Sequence, residues 1–133
     1  MKRIISLICV IAVLGCVICS CGEKAGEFVK IDADSLNSLA WISGSTNMIG
    51  DEDAEKIISI YNALEPTGGV SDKSDKNAEW RVLATVMPEG ENPCIFRLSY
   101  IGNFEFVVRV DGSHSSAYKI TSEELYNAFI ETK

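Results

Sequence analysis

Apolar and polar positions divide this chain into blocks of different rhythm. From Ile4 to Cys19 it runs without a charge, and the next charged residue is Glu23. Beyond that the rhythm shortens. Residues 27–32 alternate weakly and read as a strand, and residues 38–43 read as a second extended piece. Gly44-Ser45-Thr46-Asn47 then breaks the pattern. Ala54, Ile57, Ile58, Tyr61 and Leu64 recur at three- and four-residue spacing, which predicts a helix over 51–64 with one apolar stripe. Pro66 stops it. Asp51, Glu52, Asp53 and Glu55 crowd its first turn, where acidic side chains suit the positive end of the helix dipole. A calcium loop would need alternating Asp or Asn, a central Gly and a distant Glu, and that pattern is absent here.

Residues 65–78 are polar and rich in turn formers, a surface loop long enough to be either mobile or a contact surface. Three alternating strands follow, over 80–86, 94–100 and 104–110. Because one face of a sheet must be apolar, their register can be inferred. A three-residue turn at Ile101-Gly102-Asn103 sets Tyr100 opposite Phe104, Leu98 opposite Phe106, Phe96 opposite Val108 and Cys94 opposite Val110. A two-residue turn would set Phe96 against Arg109 and spoil the apolar face. On the other side, Trp80, Val82, Ala84 and Val86 align with Tyr100, Leu98, Phe96 and Cys94. Residues 111–116 read as a turn, and 118–120 as a short strand. Thr121-Ser122-Glu123-Glu124 has the form of a capping box, predicting a closing helix over about 122–131. The predicted fold class is α+β with two layers: an antiparallel sheet with a three-stranded meander packed against two helices, in a single domain over 27–133.

The opening block adds an address. Lys2 and Arg3, an apolar run and a small residue before the break are the parts of a secretory signal peptide. The run is marginal as a spanning helix, which needs about 20 residues. Ile18-Cys19-Ser20-Cys21 resembles the lipobox of bacterial lipoproteins, with an aliphatic residue three before the cysteine and a small one just before it. In that family the cysteine thiol receives a diacylglycerol and a peptidase cuts in front of it. The resemblance implies a signal peptide over 1–20, lipid attachment at Cys21, and an anchor and short tether over 21–26. It also implies an extracytoplasmic protein, lipid-anchored to the bacterial cell membrane. Val13-Leu14-Gly15-Cys16 fits the same pattern, so Cys16 is the alternative attachment site. Cys21 is preferred because cleavage before Cys16 would leave Val17 and Ile18 exposed, whereas Gly22-Glu23-Lys24 follows Cys21 directly. A metal site at Cys16, Cys19 and Cys21 would need a second ligand cluster or histidines. Beyond residue 22 the order of elements is similar to that of small envelope lipoproteins of Gram-positive bacteria, which transfers a location and no activity.

Charge narrows the partners. The chain has 12 basic and 19 acidic side chains; setting aside residues 1–21 removes Lys2 and Arg3 and leaves 10 against 19, a formal −9. Nucleic acid and anionic lipid repel such a surface.

Chemistry is sparse. Cys94 falls on the apolar face of its strand, where cysteine acts as a small hydrophobe. A Cys94–His114 nucleophile pair would need an accessible, electropositive setting, which the flanking valines do not provide. His114 is the sole histidine and sits among turn serines, which argues against a serine triad or a multi-histidine metal site. The pairs Glu89/Glu91 and Asp32/Asp34 read as solvated turn residues rather than glycosidase carboxylates. Gly68-Gly69 lacks the lysine and the strand–turn–helix setting of a phosphate loop. Trp41 and Trp80 occupy apolar strand positions suited to packing. The sequence therefore predicts no enzyme, cofactor or metal. It predicts an anchored binding module for an envelope protein. The alternative is a small-ligand receptor with a pocket between sheet and helices lined by Trp80, Tyr100 and Phe104.

Overall fold

The computed structural model describes residues 25–43, 45–112 and 115–133. Cys16, Cys21 and His114 lie outside the described residues, as do the signal peptide and most of the tether. A single 3-10 turn, Ala33–Ser35, leads into β1 (Leu36–Ser43) and β2 (Ser45–Met48). Helix α1 (Asp51–Asn62) follows, then β3 (Trp80–Val86), β4 (Cys94–Gly102), β5 (Glu105–Asp111), β6 (Ser116–Thr121) and helix α2 (Glu123–Ile130). All six strands join one antiparallel sheet in the order β2-β1-β3-β4-β5-β6.

This overturns the predicted fold class. The molecule is dominated by a six-stranded sheet, and the predicted meander is only its middle. Of the outer strands only β2 escaped the pattern; β6 is longer than the expected piece, and β1, expected as an extended piece, now has its partners. β2 is polar throughout except for Met48, because an edge strand needs no apolar alternation. β6 extends the short 118–120 piece by pairing along β5 from Glu105↔Thr121 to Val110↔Ser116. β1 pairs with β3, so it belongs to the same sheet. The strand expected over 27–32 joins no ladder.

The β3–β4 register is as expected, from Trp80↔Tyr100 to Val86↔Cys94. The β4–β5 register differs by two residues: Tyr100 faces Phe106, Leu98 faces Val108, and Phe96 faces Val110. The turn has two residues, Asn103 (φ 54°) and Phe104 (φ 60°), both in the left-handed region that tight hairpins require. Ile101 is an extra residue in β4, and this bulge restores the parity that a two-residue turn alone would lose. The apolar face is kept, but each of its residues meets a different partner.

That face forms the core. Leu39, Trp41, Val82, Ala84, Val86, Phe96, Leu98, Phe106, Val108, Val110, Tyr118 and Ile120 are buried under both helices. α1 contributes Ala54, Ile57, Ile58 and Tyr61, four of the five residues of the predicted stripe, Leu64 lying beyond the helix end, and α2 contributes Leu125, Ala128 and Phe129. At α1 the N-cap is Gly50, with no side-chain cap bond, so the acidic first turn acts through the dipole. At α2 the cap is Ser122, whose Oγ accepts from the Leu125 amide at 3.0 Å, one residue later than the predicted box. The Lys56–Glu131 ion pair between the helices is well exposed and contributes little.

Two irregular segments complete the fold. Residues 26–31 form a strap held by side chains. The Gly26 amide donates to Ala117 O, Asn62 holds both backbone groups of Ile31, and the Tyr61 and Tyr118 hydroxyls meet each other at Val29 O. Phe28 stacks on Tyr61 at 5.1 Å. The second segment, residues 65–78, wraps the sheet edge. Thr67 and Gly68 pair with Lys119 on β6, the chain crosses to the opposite face, and the Glu79 amide joins Tyr100 O at the start of β3. The long loop is thus pinned at both ends and in the middle.

Candidate functional site

The structure brings Trp80, Tyr100 and Phe104 together. Trp80 stacks on Tyr100 at 4.9 Å and 19°, Tyr126 lies 4.9 Å from Tyr100, and Phe104 meets Tyr126 edge-on at 5.4 Å. Trp41, Phe106 and Phe129 continue the cluster on the other side of Trp80. The rings occupy the space between them with one another. The Tyr100 hydroxyl turns back to accept from the Phe104 amide at 3.3 Å, which ties it to the hairpin turn. Of the three, Phe104 is the most open, at 37% exposure.

The other sequence candidates resolve into structural roles. Cys94 is buried in the core against Val86, on the face that the helices cover. Asp32 caps the 3-10 turn, accepting from the Asp34 amide at 3.1 Å and the Ser35 hydroxyl at 2.8 Å. Glu89 and Glu91 are exposed in the β3–β4 connection. Among the described residues, no group of three or more His, Cys, Asp or Glu side chains could hold a metal ion.

The site that sequence reasoning missed is on the other face of the sheet. Arg81, Arg97 and Arg109 project there from β3, β4 and β5, and Arg97 and Arg109 are directly opposite one another. The wrapping loop covers part of this face. Asp75 reaches down to Arg109, which donates to it from Nε at 3.1–3.2 Å and from Nη2 at 2.9 Å. Arg109 Nη2 also donates to Ser71 O at 2.6 Å, and Arg81 Nη2 donates to Asp75 O at 2.7 Å. Ser99 and Val107 are fully buried beneath this roof. The hydrogen bonds from Arg109 hold the Asp75 carboxyl below its ordinary value against the opposing pull of burial, and Asp75 raises the guanidinium in turn.

Beside the roof the face stays open. A groove of about 480 Å³ is lined by Ile42, Asp72, Asp75, Lys76, Arg81, Arg97 and Arg109. Its four cationic side chains outnumber its two carboxylates, on a chain whose formal charge is −7. Among the described residues Arg97 is exposed and its side chain makes no hydrogen bond or ion pair. Ile42 and Ile95, each 40% exposed, flank it on the same face. The groove offers hydrogen-bond donors and positive charge but no oriented nucleophile and base. It is equipped to bind. A legible signal existed, since all three arginines sit at polar positions of the alternating strands. The two-residue register difference concealed that Arg97 and Arg109 are neighbours. No protein-family model matches the chain, and comparison with curated proteins and with solved structures finds no significant relative.

Proposed function

We propose that this chain is a lipid-anchored, extracytoplasmic, non-catalytic binding module that presents the open half of its sheet to a partner protein in the bacterial cell envelope. The observation that carries the reading is the asymmetry of the sheet. One face is sealed by two helices, while the other keeps an arginine-lined groove beside exposed Ile42 and Ile95. Apolar groups next to unpaired guanidinium donors are what recognition surfaces concentrate. The strap supports the anchored geometry. With acylation at Cys21, residues 22–25 would separate the lipid from the first fixed amide at Gly26, a reach of at most ~3.5 Å per residue. The domain would be held against the bilayer, and its partner would be a neighbour in the same membrane.

The test is in-cell photo-crosslinking from two positions, Ile95 on the open face and Glu52 on exposed α1, followed by mass spectrometry. A protein recovered from Ile95, not from Glu52, and lost in Cys21→Ala is the expected outcome. Equal recovery from both positions would reject this face as the recognition surface. Labelling with an alkynyl fatty acid checks the anchor itself: incorporation should disappear in Cys21→Ala and persist in Cys16→Ala.

A further inference from the structure

We infer that the groove between residues 72–76 and the sheet is a binding site for a dianionic phosphate group; this rests on the binding-module reading and names the chemistry its open face takes. Arg97 and Arg109 are directly opposed across β4 and β5, an arrangement in which like charges repel. Asp75 neutralises one of them with a forked ion pair. The Arg97 side chain is left without an ion-pair partner among the described residues, and Arg81 spends one Nη2 donor on a backbone carbonyl. The fold therefore presents a cationic group that its own side chains do not satisfy.

The lining fixes the class of ligand. Arg81, Arg97, Arg109 and Lys76 against Asp72 and Asp75 leave a surplus of two positive charges, which one dianion cancels. Guanidinium forks match the oxygens of phosphate, and the cationic side chains come from three strands and the roof, suiting a tetrahedral oxyanion. The Asp72 carboxylate in the lining and the net negative chain repel any longer polyanion, so the ligand is a single phosphate group and not a nucleic-acid backbone. Ile42 supplies an apolar wall for whatever carries the phosphate.

The experiment follows thermal unfolding of the full chain in neutral detergent while O-phosphoserine or inorganic phosphate is titrated at constant ionic strength. Both should raise the melting temperature beyond the sodium chloride control, as binding to the folded state demands. The second phosphate proton of a phosphomonoester leaves near pH 6, so stabilisation by phosphoserine should strengthen as pH rises through that value. Arg97→Gln and Arg81→Gln should each weaken binding about tenfold, the scale of one charge-assisted hydrogen bond. Lys30→Gln, exposed and outside the groove, should leave it unchanged. Arg97 has no partner to lose, so the unliganded melting temperature of Arg97→Gln should not fall. Stabilisation no greater than with chloride, or full affinity in Arg97→Gln, would overturn the site. So would binding of a polyglutamate peptide without any phosphate effect, which would give the groove to an acidic polypeptide. Crosslinking from Ile95 is independent of these readouts. A specific partner without a phosphate effect removes the phosphate site and leaves the module standing; a phosphate effect without a partner does the reverse.

Discussion

Asp75 and the tyrosine pair show how single side chains hold irregular backbone in place. Asp75 is the one described carboxylate that is buried, and it holds the roof to the sheet through Arg109. Asp75→Asn should cost about 1.5–3 kcal/mol, the range for hydrogen bonds to charged groups. The pH dependence follows from the direction of its shift. A carboxyl held below its ordinary value contributes in full above 3.8, and the contribution is lost as pH falls below that toward the folded value. Urea unfolding of wild type and Asp75→Asn should therefore differ by a constant amount at mild and neutral pH, and the difference should shrink in stronger acid. Tyr61 and Tyr118 work in the opposite direction. Burial is the main cause that raises both hydroxyls above the ordinary 10.0, so they stabilise the fold below that pH and withdraw their contribution as pH rises past it. Of the four tyrosines, two should form tyrosinate only as the protein unfolds in alkali, which ultraviolet titration beside circular dichroism would detect.

At the scale of elements, legibility followed burial. Strands β3, β4 and β5 and helix α1 could be read because each has one face in the core, so the required apolar period was written in Val82, Ala84, Phe96, Leu98 and the Ala54–Tyr61 stripe. β2 carried no such signal, since Ser45, Thr46 and Asn47 belong to an edge strand specified by pairing with β1. The β4–β5 register failed for a sharper reason. Hydrophobic parity admits any even shift, and the choice among even shifts is made by the turn, here Asn103-Phe104 together with the bulge at Ile101. The groove depended on that choice. Asp75 was still less legible, because only the crossing of residues 65–78 over the second face places it beside Arg109. The aromatic candidates lie together as a packed cluster in which Trp80 and Tyr100 stack on each other.

The whole molecule is a sheet with two unlike faces and two unlike edges. A sheet grows by its edges, and three outward backbone groups of β6 are already taken: Ala117 O by Gly26, Lys119 O by Thr67, and Lys119 N by Gly68. At the other edge, β2 offers only four residues. Closure of the β6 edge depends on Gly26 having no side chain, because a Cβ there would lie 2.4 Å from Ser116 Oγ and 2.8 Å from Ala117 O. Gly26→Ala should lift the strap and uncover the ladder of β6, and light scattering should then report species larger than any formed by wild type. In the intact protein, edge-to-edge association has a valency of one. A chain reaction needs two complementary ends on every unit, so pairing through β2 alone stops at a dimer.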